Sequence, residues 1–209
     1  MINYLATQKN WQNAFSDTIT SFAELAQALD LPIDSFDSQV GQFPLKVPRR
    51  FVQKMGKGDI HDPLLKQVLP TFQETVQVTG FVTDPLDEQH ANPVKGIIHK
   101  YASRVLIPVT GACVVNCRYC FRQHFDYHEN LPTQNDWQAI SAYITAHPAV
   151  NEVILSGGDP LSLSNRRLLE IFTTLEALPQ VQTIRLHTRV PVLLPPLSDE
   201  PLLTPLENS

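Results

Sequence analysis

All three cysteines of the chain lie within eight residues, at Cys113, Cys117 and Cys120. Three thiolates on one short loop can hold three corners of a metal cluster, because the thiolate is the form of cysteine that binds metals. The 209 residues contain no fourth cysteine to complete the coordination. The spacing therefore predicts a metal centre with one open position, where a small molecule can bind and react.

A structural zinc site is the main alternative for these cysteines. Such a site usually takes four ligands, in pairs of cysteine or histidine. Only Cys117 and Cys120 have the spacing of a zinc knuckle, but His124 and His128 follow closely and could supply the missing ligand. A third interpretation treats the cysteines as small buried hydrophobes, which gives no reason for all of them to occupy one octet.

A second candidate binding segment is SGGDP at 156–160, which follows the apolar run at 152–156. Its adjacent glycines, Gly157 and Gly158, allow a backbone to approach a ligand closely or to adopt positive φ. Taken alone, such a segment is also typical of a plain turn. The cysteine loop likewise follows an apolar run, at 105–110. We therefore expect both loops at the carboxyl ends of strands, where α/β proteins place their ligand loops.

The pattern Cys-x3-Cys-x2-Cys, with the aromatic Tyr119 before the third cysteine, resembles the signature of the radical S-adenosylmethionine (SAM) superfamily. The resemblance implies that the three cysteines hold a [4Fe-4S] cluster and that SAM chelates its fourth iron. An external reductant would supply the electron that cleaves SAM to a 5′-deoxyadenosyl radical. Tyr119, Gly157, Gly158 and Asp159 are then the implied SAM-binding residues, the glycine segment holding the methionyl amino group.

A narrower resemblance, to the lysine 2,3-aminomutase family, extends over nearly the whole chain. The stretches that carry it are HKYASRVL at 99–106, the cysteine loop as far as residue 122, ILSGGDPL at 154–161 and IRLHTRVP at 184–191. The region around Trp11, FPLKVP at 43–48 and DPL at 84–86 resemble the branch that serves β-lysylation of elongation factor P.

The resemblance implies a second cofactor and a substrate. Lys100 and Arg104 align with residues that bind the phosphate of pyridoxal 5′-phosphate (PLP), and Tyr101 lines the same pocket. Arg122 aligns with the arginine that pairs with the carboxylate of L-lysine, a task that suits a planar guanidinium. The alternative is that Lys100, Arg104 and Arg122 are solvated surface charges.

The implied reaction moves the α-amino group of L-lysine to the β-carbon and gives (R)-β-lysine. In the elongation factor P branch, a partner ligase then attaches β-lysine to the translation factor. Family members also tend to associate, so a homo-oligomer is possible. Two other functions stay open at this point: a zinc-binding interaction module, and a radical SAM enzyme that uses no PLP.

PLP enzymes need a lysine for the resting Schiff base. No lysine of this sequence follows Lys100, whereas the family's Schiff-base lysine lies near the far end of a longer chain. The proline-rich stretch 193–209 is also poor in helix-forming patterns. We therefore expect an amino-terminal portion of the enzyme, truncated or ended by a frameshift, that makes no β-lysine. Detection of β-lysine in an anaerobic assay of the 209-residue chain would contradict this expectation.

The composition is ordinary for a globular protein, with 43% hydrophobic and 18% charged residues. A net charge of −5 and a pI near 5.8 give no basic footprint for nucleic acid. No apolar stretch approaches the roughly 20 residues of a membrane helix, and the amino terminus lacks the pattern of a secretory signal. These features predict a cytoplasmic protein without direct nucleic-acid or membrane contact.

The sequence predicts two regions, at 1–95 and 96–209. The first is mixed helix and loop: Ser21 and Glu24 form a capping-box pattern before a helix that Asp30 ends, and short helices are expected at 49–56 and 64–69 after prolines. Residues 77–92 are expected to be an irregular connection. The side chains expected to pack are Phe43, Phe51, Leu64, Leu65 and Val68.

From residue 96 the pattern is α/β. Strands are expected at 105–110, 152–156 and 181–187, and helices at 134–147, capped by Asn135 or Thr133, and at 165–178. Crossovers of this kind imply parallel strands. The resemblance implies about three units of a (β/α)6 partial barrel. His187 and Arg189 follow the third strand, where a capping role and contact with SAM are both open.

Overall fold

The computed structural model describes residues 16–36 and 44–194. Residues 16–36, 44–82, 114–123 and 191–194 belong to one compact unit, and residues 83–113 and 124–190 to a second. Residues 83–95 therefore group with the second unit, and the domain boundary after residue 95 stays a prediction. Trp11, Phe43 and the proline-rich residues after Leu194 lie outside the described residues.

The first unit contains short elements only. Strand β1 (Thr18–Ile19) pairs antiparallel with β2 (Val47–Pro48), a pairing that the sequence did not indicate. Its α-helices are α1 (Phe22–Leu29), α2 (Arg49–Val52) and α6 (Val190–Leu193). Its 3-10 turns are Ile33–Ser35, Leu65–Gln67 and Phe72–Thr75. The first residue of α6, Val190, belongs to the second unit.

Helix α1 confirms the predicted element but not its predicted cap. Leu25 and Leu29 are buried, and Asp30 ends the helix in the left-handed conformation, with φ of 54°. The side chain of Ser21 makes no capping hydrogen bond, so the predicted capping box is wrong. Glu24 instead contacts the guanidinium of Arg49, because an ion pair across the unit is available to its carboxylate.

The two other helices predicted in this region are shorter than expected. Residues 49–56 contain only the four helical residues of α2, followed by turns, and residues 64–69 contain a single 3-10 turn. The packing prediction is confirmed for Phe51, Leu65 and Val68, which are buried, whereas Leu64 is half-buried. Residues 77–92 are irregular as expected, apart from the 3-10 turn Gln89–Ala91.

The second unit is an α/β structure built on one four-stranded sheet. Its elements in chain order are β3 (Ile98–Tyr101), β4 (Arg104–Thr110), α3 (Tyr127–Asn130), α4 (Asp136–Ala146), β5 (Glu152–Gly157), α5 (Asn165–Glu176) and β6 (Thr183–Leu186). The strand order is β3-β4-β5-β6. Strands β4, β5 and β6 are parallel, as predicted, and β3 is an antiparallel edge strand that the sequence did not predict.

The core of this unit lies between one face of the sheet and the helices. Val105 and Ile107 of β4 and Val153 and Leu155 of β5 point to one face because they alternate along their strands, and all four are buried. The helices bury Ile140, Ile144, Ile171 and Leu175. No described helix is long and apolar enough to cross a membrane.

The structure confirms Asn135 as the cap position of helix α4 but not a capping hydrogen bond from its side chain. Thr133 donates its backbone N–H and its hydroxyl to the Asp136 carboxylate, both at 2.7 Å. The helix start is therefore stabilised by an acidic first residue, which also interacts favourably with the positive end of the helix dipole.

Candidate functional site

The glycine segment packs directly on the start of the cysteine loop. Gly158 N–H donates to the carbonyl of Thr110 at 2.6 Å, and Asp159 N–H donates to the carbonyl of Ala112 at 2.8 Å. A Cβ on Gly158 would lie 2.3 Å from the Ala112 oxygen, and Gly157 has φ of +109°. Both glycines are therefore required by the local backbone: Gly158 for close approach and Gly157 for its conformation.

The Asp159 carboxylate joins the glycine segment to the chain that follows β6. It accepts hydrogen bonds from Leu161 N–H at 3.0 Å, the Thr188 hydroxyl at 2.6 Å and Arg189 N–H at 2.7 Å. Asp159 is only 4% exposed. Its side chain therefore fixes the loop, and the loop's backbone is what remains to contact a ligand.

His187 and Arg189 lie at the same edge of the sheet. His187 N–H donates to the carbonyl of Leu155 at 3.0 Å, which continues the β5–β6 pairing by one residue, and its side chain is exposed. Arg189 reaches the glycine segment through its backbone, on Asp159. The carboxyl ends of β4, β5 and β6 thus meet at one edge, as the sequence predicted.

The loop entrance at Cys113 is fixed by local hydrogen bonding. The buried hydroxyl of Thr110 accepts from Ala112 N–H at 3.1 Å. Gly111 packs under the ring of Tyr127, because a Cβ there would lie 3.2 Å from that ring. Cys113, Cys117 and Cys120 form no disulfide and are partly exposed, as metal ligands on an accessible loop need to be.

The turn at 117–120 is anchored by Arg118. Cys120 N–H donates to the carbonyl of Cys117 at 3.0 Å and closes the turn. Arg118 N–H donates to the carbonyl of Gln67 at 2.8 Å, and its guanidinium pairs with Glu74 at 2.7 Å. No local pattern indicates this role of Arg118, because its partners Gln67 and Glu74 are over 40 residues away in the chain.

Arg122 is almost fully buried, with 6% of its surface exposed, and its guanidinium lies 4.7 Å from the centre of the Phe121 ring. The alternative that Arg122 is a solvated surface charge is therefore wrong. Tyr119 is 61% exposed, with its hydroxyl 3.5 Å from Gln67 Oε1. The aromatic face of Tyr119 thus remains accessible beside the cysteines.

The structure places Lys100, Tyr101 and Arg104 away from this edge. They belong to the β3–β4 hairpin, in which Tyr101 pairs with Arg104. The Arg104 guanidinium lies 5.7 Å from the Tyr101 ring centre. Arg104 opens β4 and Thr110 closes it, so the two are about 20 Å apart along an extended strand. These candidates therefore stand at the amino end of the sheet.

Comparison with known proteins agrees with this arrangement. Residues 107–201 match the radical SAM superfamily. An L-lysine 2,3-aminomutase of Haemophilus influenzae is 44% identical over 191 residues, covering 90% of this chain and 56% of that protein. An L-lysine 2,3-aminomutase of Escherichia coli is 42% identical over 201 residues, covering 94% of this chain and 58% of that protein. The chain contains a radical SAM domain and is similar to L-lysine 2,3-aminomutases over most of its length.

More distant members of the family also match over most of the chain. An L-lysine 2,3-aminomutase of Clostridium subterminale is 31% identical over 195 residues, covering 91% of this chain and 47% of that protein. The chain therefore spans about half the length of the relatives it matches. A match of this extent to lysine 2,3-aminomutases disfavours both a zinc-binding interaction module and a radical SAM enzyme without PLP.

The radical SAM domain implies a [4Fe-4S] cluster and SAM, and the similarity to lysine 2,3-aminomutases implies PLP. Three cysteines outside any disulfide suit a cluster that leaves one iron open. The glycine segment suits close approach of a ligand to the backbone. In the described residues, no three histidine, cysteine, aspartate or glutamate side chains are already gathered as a metal site, so the assignment of the three ligands depends on the motif.

Proposed function

We propose that this chain forms the cluster-binding and SAM-binding part of an L-lysine 2,3-aminomutase. The observation that carries the proposal is the hydrogen bonding of the glycine segment to the start of the cysteine loop, at Thr110 and Ala112. A radical SAM enzyme must hold SAM against its cluster. The hydrogen bonds to Thr110 and Ala112 place the glycine segment beside Cys113, the first cysteine of the loop.

Cys113, Cys117 and Cys120 supply the three protein ligands of the cluster in this proposal. When bound, the cluster supplies the electron that cleaves SAM to a carbon-centred radical. The Asp159 carboxylate already accepts hydrogen bonds from Leu161, Thr188 and Arg189. The methionyl amino group would therefore be held by the backbone of Gly157 and Gly158. Tyr119, exposed beside the cysteines, would contact SAM.

Arg122 is the proposed partner of the substrate carboxylate. A guanidinium can bind a carboxylate through two parallel hydrogen bonds, and a charge pair shielded from water is stronger than one in bulk solvent. The low exposure of Arg122 and its packing on Phe121 hold the guanidinium in a fixed position. Its geometry therefore suits an amino-acid substrate such as L-lysine.

The hairpin residues Lys100, Tyr101 and Arg104 are proposed to bind the phosphate of PLP. The amino group of L-lysine would migrate from the α-carbon to the β-carbon to give (R)-β-lysine. We further propose that this β-lysine serves a ligase that modifies elongation factor P. The resemblance of the sequence at 43–48 and 84–86 to that branch supports this role.

Electron paramagnetic resonance (EPR) tests the proposed SAM site. The purified chain is reconstituted anaerobically with iron and sulfide, reduced, and measured with and without SAM. We expect a [4Fe-4S]+ signal that changes shape when SAM is added, because SAM would occupy the open iron. Cys117→Ala should lower the iron content and abolish the signal, whereas His128→Ala, an exposed histidine, should leave both unchanged.

Two results would count against the proposal. The first is that the purified chain holds stoichiometric zinc without sulfide and that the His124→Ala or His128→Ala variant loses this zinc. That result would identify a zinc module. An iron signal that SAM leaves unchanged would mean that the open iron is not a SAM site.

A further inference from the structure

A buried glutamate lies between two arginines at the amino end of the sheet. Glu152 opens β5 and is the register partner of Arg104 on β4. Glu152 is only 8% exposed. Its carboxylate lies 3.5 Å from Arg104 Nε and 2.6 Å from Arg185 Nη2, on β6. Three adjacent strands thus each contribute one charged side chain to a single cluster.

The cluster carries more positive charge than the glutamate needs. One guanidinium would compensate a buried carboxylate, and a second leaves a net positive charge. The side chains of Arg104 and Arg185 are 45% and 53% exposed, so solvent and ligands can reach them. Such a surplus predicts an anion as the ligand.

The donors of both arginines remain available. Arg185 contacts Glu152 Oε1 through Nη2, at 2.6 Å, which leaves its Nε and Nη1 groups for another acceptor. Arg104 approaches the carboxylate through Nε, which leaves its two Nη groups for another acceptor. Two guanidiniums held at one carboxylate form a fork that fits the oxygens of a phosphate group.

The surroundings favour a phosphate attached to a ring. Leu106 and Ile154 lie two residues further along β4 and β5, on the same face as Arg104 and Glu152. Both are half-buried. The Tyr101 ring, which is 66% exposed, flanks Arg104 from the edge strand. An apolar surface beside a cationic end suits a flat aromatic phosphate monoester.

We propose that Arg185 is a direct ligand of the phosphate of PLP and that Glu152 is the positioning residue that holds Arg104 and Arg185 together. This inference rests on the proposed function, because it deepens the PLP site of that enzyme. It adds two residues, Glu152 and Arg185, to those that the family resemblance implied.

Calorimetric titration of the 209-residue chain tests the inference without any turnover. The probes are pyridoxine 5′-phosphate and pyridoxine, which lack the aldehyde and cannot form imines with surface lysines, and inorganic phosphate. We expect the phosphorylated probe to bind at least about 10-fold more tightly than pyridoxine. Arg185→Met should weaken its binding by about 10- to 100-fold, since one charge-assisted contact is lost.

The Glu152→Gln variant separates a positioning role from a purely electrostatic one. If Glu152 only neutralised its neighbours, loss of its negative charge would strengthen the binding of an anion. We expect the opposite, about 10-fold weaker binding of pyridoxine 5′-phosphate with unchanged binding of pyridoxine, because the arginines lose their anchor. Arg166→Met, at an exposed arginine of α5, is the matched control and should bind like the wild type.

Three results would overturn the inference. These are unchanged affinity in Arg185→Met, unchanged or tighter binding in Glu152→Gln, and binding of inorganic phosphate without pyridoxine 5′-phosphate, which would identify a free-phosphate site. Thermal unfolding of each variant confirms that it is folded before titration. Since the titration needs neither cluster nor SAM, its failure is distinct from failure of the EPR experiment.

Discussion

At the residue scale, the two carboxylates Asp159 and Glu152 show how the same group can have different tasks. Asp159 is surrounded by donors, namely two backbone N–H groups and a hydroxyl, and is fully used in holding a loop. Glu152 pairs with Arg104 Nε and Arg185 Nη2, which leaves the other guanidinium nitrogens of both arginines for another acceptor. The first carboxylate stabilises the fold, and the second is proposed to prepare a binding site.

We expect Asp159→Ala to lower the free energy of unfolding by about 3 kcal/mol, because it leaves buried donors without an acceptor. The measurement is urea denaturation followed by circular dichroism. Asp126→Ala is the matched control: this aspartate accepts a single hydrogen bond, from Glu129 N–H at the start of α3, and its loss should cost about 1 kcal/mol. Equal costs for the two variants would contradict the role assigned to Asp159.

At the element scale, the site depends on where three parallel strands end. Strands β4, β5 and β6 bring the cysteine loop, the glycine segment and Thr188 to one edge because parallel strands share a direction. The β3–β4 hairpin places Arg104 at the other end of the same sheet. The length of β4 therefore sets the separation between the proposed SAM site, at the carboxyl ends of these strands, and the proposed phosphate site.

We expect Gly158→Ala to abolish the effect of SAM on the EPR signal. The added Cβ would lie 2.3 Å from the Ala112 oxygen, and backbone atoms on both sides leave no flexible side chain to yield. Gly56→Ala is the matched control, because its added Cβ would meet only ordinary contacts, the nearest at 3.4 Å. A normal SAM effect in Gly158→Ala would show that the glycine segment does not hold SAM.

The start of helix α4 gives a prediction about pH. Hydrogen bonds from the backbone N–H and the hydroxyl of Thr133 hold the pKa of Asp136 below its ordinary value. The stabilisation is therefore complete above the ordinary aspartate pKa, near 4, and is lost as the pH falls through the lowered pKa. Thr133→Val should raise the Asp136 pKa toward its ordinary value in an NMR titration, and Thr174→Val on α5 should leave it unchanged. An unchanged Asp136 pKa in Thr133→Val would contradict this.

At the scale of the whole molecule, the described units have apolar interiors of their own. Ile19, Leu25 and Leu65 are fully buried in the first unit, and Ile107 and Leu155 in the second. None of these buried side chains is a cysteine, since all three cysteines are partly exposed. The fold should therefore form before the metal binds, unlike that of a small zinc module, which needs its metal to fold.

Removal of the cluster should accordingly leave the fold intact. We expect oxidation followed by chelation to abolish the visible absorbance of the reconstituted chain while the far-UV circular dichroism spectrum and cooperative unfolding persist. The midpoint of thermal unfolding should fall only modestly, since a lost ligand removes its binding free energy and no core contacts. Collapse of the circular dichroism signal on metal removal would instead indicate a structural metal.

The sequence by itself determined the three parallel strands, the longer helices and the family resemblance. The cysteine spacing, the glycine pair and the alternation at 105–110 and 152–156 are local patterns, and local patterns follow from backbone geometry. The capping box predicted at Ser21 is wrong because Glu24 pairs with Arg49, which is distant in the sequence. Capping propensities describe neighbours in the chain and not such long-range ion pairs.

Only the tertiary structure decided which distant side chains meet. The anchoring of Arg118 on Glu74, the use of Asp159 by Thr188, and the joining of Arg104 and Arg185 through Glu152 all link residues 29 or more positions apart. Such pairings depend on strand order and register, which no local pattern encodes. The chemistry of the cysteine loop could thus be predicted from the sequence, whereas the residues that hold and support it became visible only in the folded chain.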